Sequence, residues 1–159
     1  MNLPSVLLVD DDADVRVMVR ALLEDAGYVV CCAASGPEAL SLLHHVRPKL
    51  MLVDLAMPLM TGAELLRELA RDDSVQPLAV VAISGCVDHR ASPARWFLSK
   101  PLNTALLLSV VADFCGPASA AAPEHDGARR RGPMGDSDQA AAVVASRIAA
   151  TARMALARR

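Results

Sequence analysis

Aromatic side chains are scarce in this 159-residue chain: one Trp, one Tyr and two Phe make up 3% of it, although 53% is hydrophobic. Any core must therefore be aliphatic, built from Ala, Leu and Val. Long apolar runs are also missing. None reaches the roughly 18 uncharged residues that a membrane span requires. The N-terminus lacks a basic flank, and Asp10, Asp11 and Asp12 interrupt it where a signal peptide stays apolar. A soluble, cytoplasmic chain is expected. Cysteine is sparse and unpatterned: Cys31 and Cys32 are adjacent, Cys86 and Cys115 are isolated, and no CxxC or zinc spacing exists. Four such cysteines fit small buried hydrophobes in a reducing compartment.

What is present suits one domain of roughly 100–150 residues with a short appendage. A chain of this length buries a full core without disulfides or a structural metal. Its net charge of −2 hides an asymmetry. Residues 1–115 hold 14 acids and 9 bases, whereas residues 116–159 hold 4 acids and 7 bases.

Residues 1–115 alternate short apolar runs with helix-period segments. Ser5–Val9 reads as a buried strand between Pro4 and an acidic cluster. Val15, Met18, Val19, Leu22, Leu23 and Ala26 then recur at helical spacing, with Asp12 to cap the start and Gly27 to stop the end. Tyr28–Ala33 is expected as a second strand. Ser35-Gly36-Pro37-Glu38 offers a capping box for a helix with Ala39, Leu42, Leu43 and Val46 inward. Leu50–Val53 is a third strand, ending at Asp54. Thr61-Gly62-Ala63-Glu64 is a second capping box, opening a helix that turns Leu65, Leu66 and Leu69 inward. Leu78–Ile83 and Arg95–Leu98 complete the strands, and Asn103 caps a final helix with Leu106, Leu107, Val110, Val111 and Phe114 inward. Such alternation implies a parallel sheet covered on both faces, with right-handed crossovers. The predicted fold is α/β: a three-layer sandwich around a flavodoxin-like five-stranded parallel sheet in the order 2-1-3-4-5.

Beyond this domain (1–115), residues 116–136 are rich in Gly, Pro, Ala and Ser, and read as a flexible linker carrying Arg129–Arg131. Residues 137–159 are rich in Ala and Arg and favour a helical tail, although a thin apolar face makes it marginal alone. Twenty-three such residues cannot supply the core of a DNA-binding domain. Self-association through this tail is one use open to it.

Ligands bind beyond the carboxyl ends of the strands in an open α/β sheet. This chain places Asp10 and Asp11 after strand one, Asp54 after strand three, Ser84 after strand four, and Lys100-Pro101 after strand five. Three converging carboxylates repel one another unless a cation neutralises them. Hard oxygen ligands that leave room for water describe a Mg²⁺ site. With Lys100 and the Ser84 hydroxyl, they outline a pocket for a phosphoryl group carried on a carboxylate. A lone Asp at a strand end is an ordinary turn former, and Asp12 and Asp14 are read as such. The joint placement at one rim is what carries information.

Val9-Asp10-Asp11, Leu52-Val53-Asp54-Leu55-Ala56-Met57-Pro58 with Gly62, Ser84-Gly85 and Lys100-Pro101 resemble the receiver domain of two-component response regulators, over about residues 4–115. The resemblance implies that Asp54 accepts a phosphoryl group from a phosphohistidine on a sensor histidine kinase or a histidine phosphotransfer protein. Asp10, Asp11, Asp54 and the backbone carbonyl of Ala56 would hold Mg²⁺. Ser84 and Lys100 would engage the phosphoryl group, Phe97 would occupy the aromatic switch position, and Pro101 would follow a cis peptide bond. Such a module is not an enzyme in the ordinary sense, since it catalyses only its own phosphorylation and dephosphorylation. Its output is altered binding of a downstream protein target.

One departure stands out. Only about eleven residues, Gly85 to Arg95, separate the fourth and fifth strands, near the minimum for a crossover including its helix. That stretch has no apolar stripe, so the helix expected there is a single turn at most, or a loop. Two other readings compete. An unphosphorylated pseudo-receiver would use the same fold purely for binding, although none of the acids, the hydroxyl or the lysine is missing. Asp10-x-Asp12, Ser84 and Lys100 also resemble a haloacid dehalogenase-type phosphatase, but that family would leave Asp54 without a role.

Overall fold

The computed structural model describes residues 5–75, 77–85 and 92–117. Five strands alternate with helices: β1 (Val6–Val9), α1 (Ala13–Asp25), β2 (Val30–Ala33), α2 (Gly36–Leu43), β3 (Leu50–Asp54), α3 (Gly62–Leu69), β4 (Ala79–Ser84), β5 (Trp96–Ser99) and α4 (Thr104–Cys115), with one 3-10 turn at Asp73–Val75. All strand pairs are parallel, in the order β2-β1-β3-β4-β5. The expected doubly wound sheet is the observed one.

Helices on both faces explain why the strands read as continuous apolar runs. Successive residues of β1 and β3 serve opposite faces. Val6, Leu8, Leu50 and Leu52 join Val19, Leu23, Leu107, Val110 and Val111 on the side covered by α1 and α4. Leu7, Val9, Met51 and Val53 join Ala39, Leu43, Leu65 and Leu69 under α2 and α3. Both layers are aliphatic, apart from a few rings. Trp96 meets Phe114 edge-on, with ring centroids 5.2 Å apart, on the α4 side.

Local signals set most helix starts. Asp12 accepts from the amides of Asp14 and Val15, and Asn103 from that of Leu106. Thr61 and Glu64 form a complete reciprocal capping box. Ser35 and Glu38 form half of one: the Glu38 amide donates to Ser35 Oγ, but the Glu38 carboxylate accepts from Ala34 rather than from the Ser35 amide.

Several boundaries differ from the sequence reading. The second strand begins at Val30, not Tyr28, because Tyr28 finishes α1: its amide donates to Leu23 O while Gly27, at φ 89°, donates to Glu24 O. That is a Schellman stop, completed by Tyr28 and Leu23 sharing one core. Helix α2 stops at Leu43 and leaves Val46 outside it. Strands four and five each lie one residue later than read, through Ser84 and Ser99, which pair in register. Met18, assigned to the inward stripe of α1, is 51% exposed.

Two further readings fall largely outside the described residues: the linker and tail beyond Pro117, and positions 86–91 of the short connection between β4 and β5. Its described residues, Gly85 and Ser92–Arg95, are not helical. No helix among the described residues is long and apolar enough to cross a membrane.

Candidate functional site

Register brings the polar strand ends to one rim. Val9 pairs with Val53, Asp54 with Ile83, and Ser84 with Ser99, so Asp10, Asp54, Ser84 and Lys100 all sit at the carboxyl edge. Asp10, Asp54 and Ser84 are the buried polar residues there, whereas Asp11 is exposed. One carboxylate oxygen from each of Asp10, Asp11 and Asp54 falls within 4.8 Å of the others.

Lys100 ties this cluster together. Its Nζ lies 2.6 Å from Asp54 Oδ2 and 3.3 Å from Asp10 Oδ2. The remaining oxygens take backbone donors: the Asp12 amide to Asp10 Oδ1 at 2.9 Å, and the Ala56 amide to Asp54 Oδ1 at 3.0 Å. Burial pushes the Asp10 carboxyl above its ordinary range, against the opposing pull of the Asp12 amide and Lys100. Burial also works against the Lys100 cation, but its hydrogen bond and attraction to Asp54, helped by Asp10, outweigh it and raise its pKa.

Within the cluster, three carboxylates against the Lys100 ammonium leave two formal negative charges, at two buried acids and one exposed one. An all-oxygen donor set of that charge suits a small, hard divalent cation better than a thiophilic one. Asp11 is the solvent-exposed member of the set.

The loop after β3 is fixed to the sheet. The Leu55 amide donates to Ile83 O, and the Gly62 amide donates back to Leu55 O at 3.2 Å. Gly62 allows this close approach because a Cβ there would lie 2.3 Å from Asp54 O. Within the loop, Leu59 is fully exposed at φ 66°, an uncommon conformation for a side-chain-bearing residue.

Of the other candidate residues, Ser84 ends β4 and its carbonyl accepts from the Lys100 amide at 2.9 Å. Phe97 lies opposite Ala82 and packs against the core under α2 and α3, on the other face from Trp96. The Lys100–Pro101 bond is cis. Arg16 was not singled out in the sequence, yet its Nη1 donates to the carbonyls of Asp10 at 2.7 Å and Asp11 at 2.9 Å. Its only signal was an arginine one turn into a helix that follows the acidic loop.

An open parallel α/β sheet with this acidic, lysine-bridged rim is the arrangement of CheY-like receiver modules. The chain belongs to the response regulator receiver domain family, whose sequence profile matches residues 6–112. It is 39% identical over 116 residues to an uncharacterized 14.6 kDa protein of Leptolyngbya boryana, covering 69% of this chain and 88% of that one. It is 28% identical to the polar-differentiation response regulator DivK of Brucella anthropi, covering 72% and 98% respectively. Among solved structures it resembles the Vibrio cholerae chemotaxis protein CheY4, with a TM-score of 0.65, 30% identity, and coverage of 71% of this chain and 99% of that one. Several longer curated relatives, probable transcriptional regulators among them, are matched over less than half of their length.

Proposed function

We propose that this receiver domain is a phosphoacceptor of a two-component phosphorelay, and that Asp54 carries the phosphoryl group. The donor is a phosphohistidine on a sensor histidine kinase or histidine phosphotransfer protein. An Asp54 carboxylate oxygen attacks phosphorus, the P–N bond breaks, and the freed imidazole takes up a proton. One observation carries the reading: a buried carboxylate at the sheet rim, 2.6 Å from a lysine and grouped with two more acids.

Asp10, Asp11, Asp54 and the Ala56 carbonyl would hold Mg²⁺, which when bound supplies charge neutralisation for the incoming phosphoryl oxygens. Lys100 exchanges part of its pairing with Asp54 for the phosphoryl group, keeping a cation beside the developing charge. Ser84 supplies a hydroxyl from the neighbouring strand end, and Phe97, one strand further, couples its position to the core under α2 and α3. An acyl phosphate formed at this rim biases two packed states and alters affinity for a downstream protein. In this scheme residues 1–115 form the phosphoacceptor unit, 116–136 the linker and 137–159 an appended tail.

The test is incubation with a small phosphodonor, with and without Mg²⁺, followed by intact mass measurement. A gain of one phosphoryl group that requires Mg²⁺ is expected. No gain, under conditions that label a control receiver, assigns the chain to the inert interaction modules instead.

A further inference from the structure

We propose that Arg16 is a positioning residue for the metal pocket, acting by gripping the backbone that carries its first two acids. This rests on the Mg²⁺ reading above and adds a residue to it.

Both Nη1 contacts go to carbonyl oxygens rather than to carboxylates: Asp10 O at 2.7 Å and Asp11 O at 2.9 Å. Arg16 belongs to α1, and its own amide donates to Asp12 O in the first turn, so its side chain curls back over the loop that starts its helix. The Asp10–Asp12 segment is thereby held from three sides. The Asp10 amide donates to Ala33 O of β2, the Asp12 amide closes a turn on Asp10 Oδ1, and Arg16 takes the two outward carbonyls.

Two consecutive peptide planes are fixed by one guanidinium, and those planes set the direction in which the Asp10 and Asp11 carboxylates leave the backbone. Lys100 offsets part of the repulsion among the three carboxylates, and the held backbone keeps them converging against the rest. Bonds from a charged donor are the stronger kind, and the flat guanidinium loses little freedom in making two. Outer partners that orient metal ligands typically change metal affinity by about 10–100-fold when removed.

A cation near an acidic pocket has a second possible effect, of opposite sign: it competes with the metal for the same negative charge. The two roles therefore separate in one experiment. Mg²⁺ affinity is measured calorimetrically on the full chain for wild type, Arg16→Gln, Arg16→Met and Arg16→Lys, beside urea unfolding of each. Positioning predicts that Gln and Met weaken Mg²⁺ binding about tenfold, and that Lys, which keeps a charged donor, recovers part of the loss. In the metal-free chain, amide exchange at Asp12, whose amide closes on Asp10 Oδ1, should quicken in the Gln and Met variants. Tighter binding in Gln and Met overturns the proposal in favour of charge competition. Unchanged affinity with lowered stability overturns it in favour of a purely structural contact. Wild type that binds no Mg²⁺ overturns the metal reading and this one with it, whereas normal wild-type binding with unaltered variants overturns this one alone.

Discussion

Replacing Gly62 by Ala tests how tightly the loop after β3 is built. The added Cβ would meet Asp54 O at 2.3 Å, Leu55 Cα at 2.9 Å and the Asp54 carbonyl carbon at 3.0 Å. All three are backbone atoms of β3 and the residue after it, and that backbone is hydrogen-bonded into the sheet through Leu55 N to Ile83 O. A comfortable C···O approach is about 3.3 Å or more, so the chain must move by about 1 Å. Forcing atoms into a packed site costs about 1–3 kcal/mol. The Gly62 amide bond to Leu55 O, worth about 1 kcal/mol, is stretched as well. Against this stands a helix-propensity gain of at most about 1 kcal/mol for Ala over Gly. The net expectation is a loss of roughly 1–3 kcal/mol, with slower phosphorylation because the displaced atoms include the Asp54 carbonyl. Gly36→Ala is the control. Its Cβ would lie 2.4 Å from Met60 Sδ, 2.8 Å from Met60 Cγ and 3.2 Å from Met60 Cβ. All belong to one half-buried flexible side chain, whose Sδ and Cγ can turn away while Cβ gives by a few tenths of an ångström. Its net effect should stay within about 1 kcal/mol of zero. Urea unfolding followed by the fluorescence of Trp96, the chain's single tryptophan, reads both. Gly62→Ala as stable as wild type, or Gly36→Ala equally damaging, would refute the reasoning.

Two further perturbations follow from the charged and thiol groups. The fold raises the Asp10 pKa above its value of 3.8 in the unfolded chain, so Asp10's contribution to stability falls as pH rises from that value through the folded one. Ionised Asp10 thus opposes folding at neutral pH, and Asp10→Asn should melt higher than wild type without metal while losing the stabilisation Mg²⁺ gives; a lower melting temperature contradicts this. Burial pushes the half-buried Cys115 thiol up to about 11 from an ordinary 9.0, against a smaller pull from Lys49. The contribution of that proton is intact below about pH 9 and is lost as pH rises to about 11. Urea midpoints measured across that window should fall less steeply for Cys115→Ala than for wild type, and equal slopes would discount the thiol.

The features most legible in the sequence were those with a short physical range. Largely apolar runs between polar breaks located five strands, and five alternating βα units matched the flavodoxin-like order that the sheet adopts. Asp12, Thr61 with Glu64, and Asn103 announced their helices because caps act within three residues. What failed depended on backbone bonds and packing that residue type and periodicity do not encode. Tyr28 looks like strand until its amide is seen to close α1 on Leu23 O. Ser84 and Ser99 are polar ends that extend their strands only because they pair with each other. Met18 fits the helical period but lies beyond the strip of α1 that the sheet covers. At the rim, residue types and order along the chain indicated which acids converge. The grip of Arg16 on two carbonyls was not legible, because it depends on a side chain folding back over its own helix start.

The central claim is that Asp54 takes a phosphoryl group from histidine. It is tested most directly by mixing a phosphohistidine-bearing donor protein, radiolabelled on that group, with wild type and Asp54→Asn in Mg²⁺. Label is expected on wild type alone, in an alkali-labile acyl linkage, with loss of label from the donor. Equal labelling of Asp54→Asn, or an alkali-stable linkage on wild type, would contradict it.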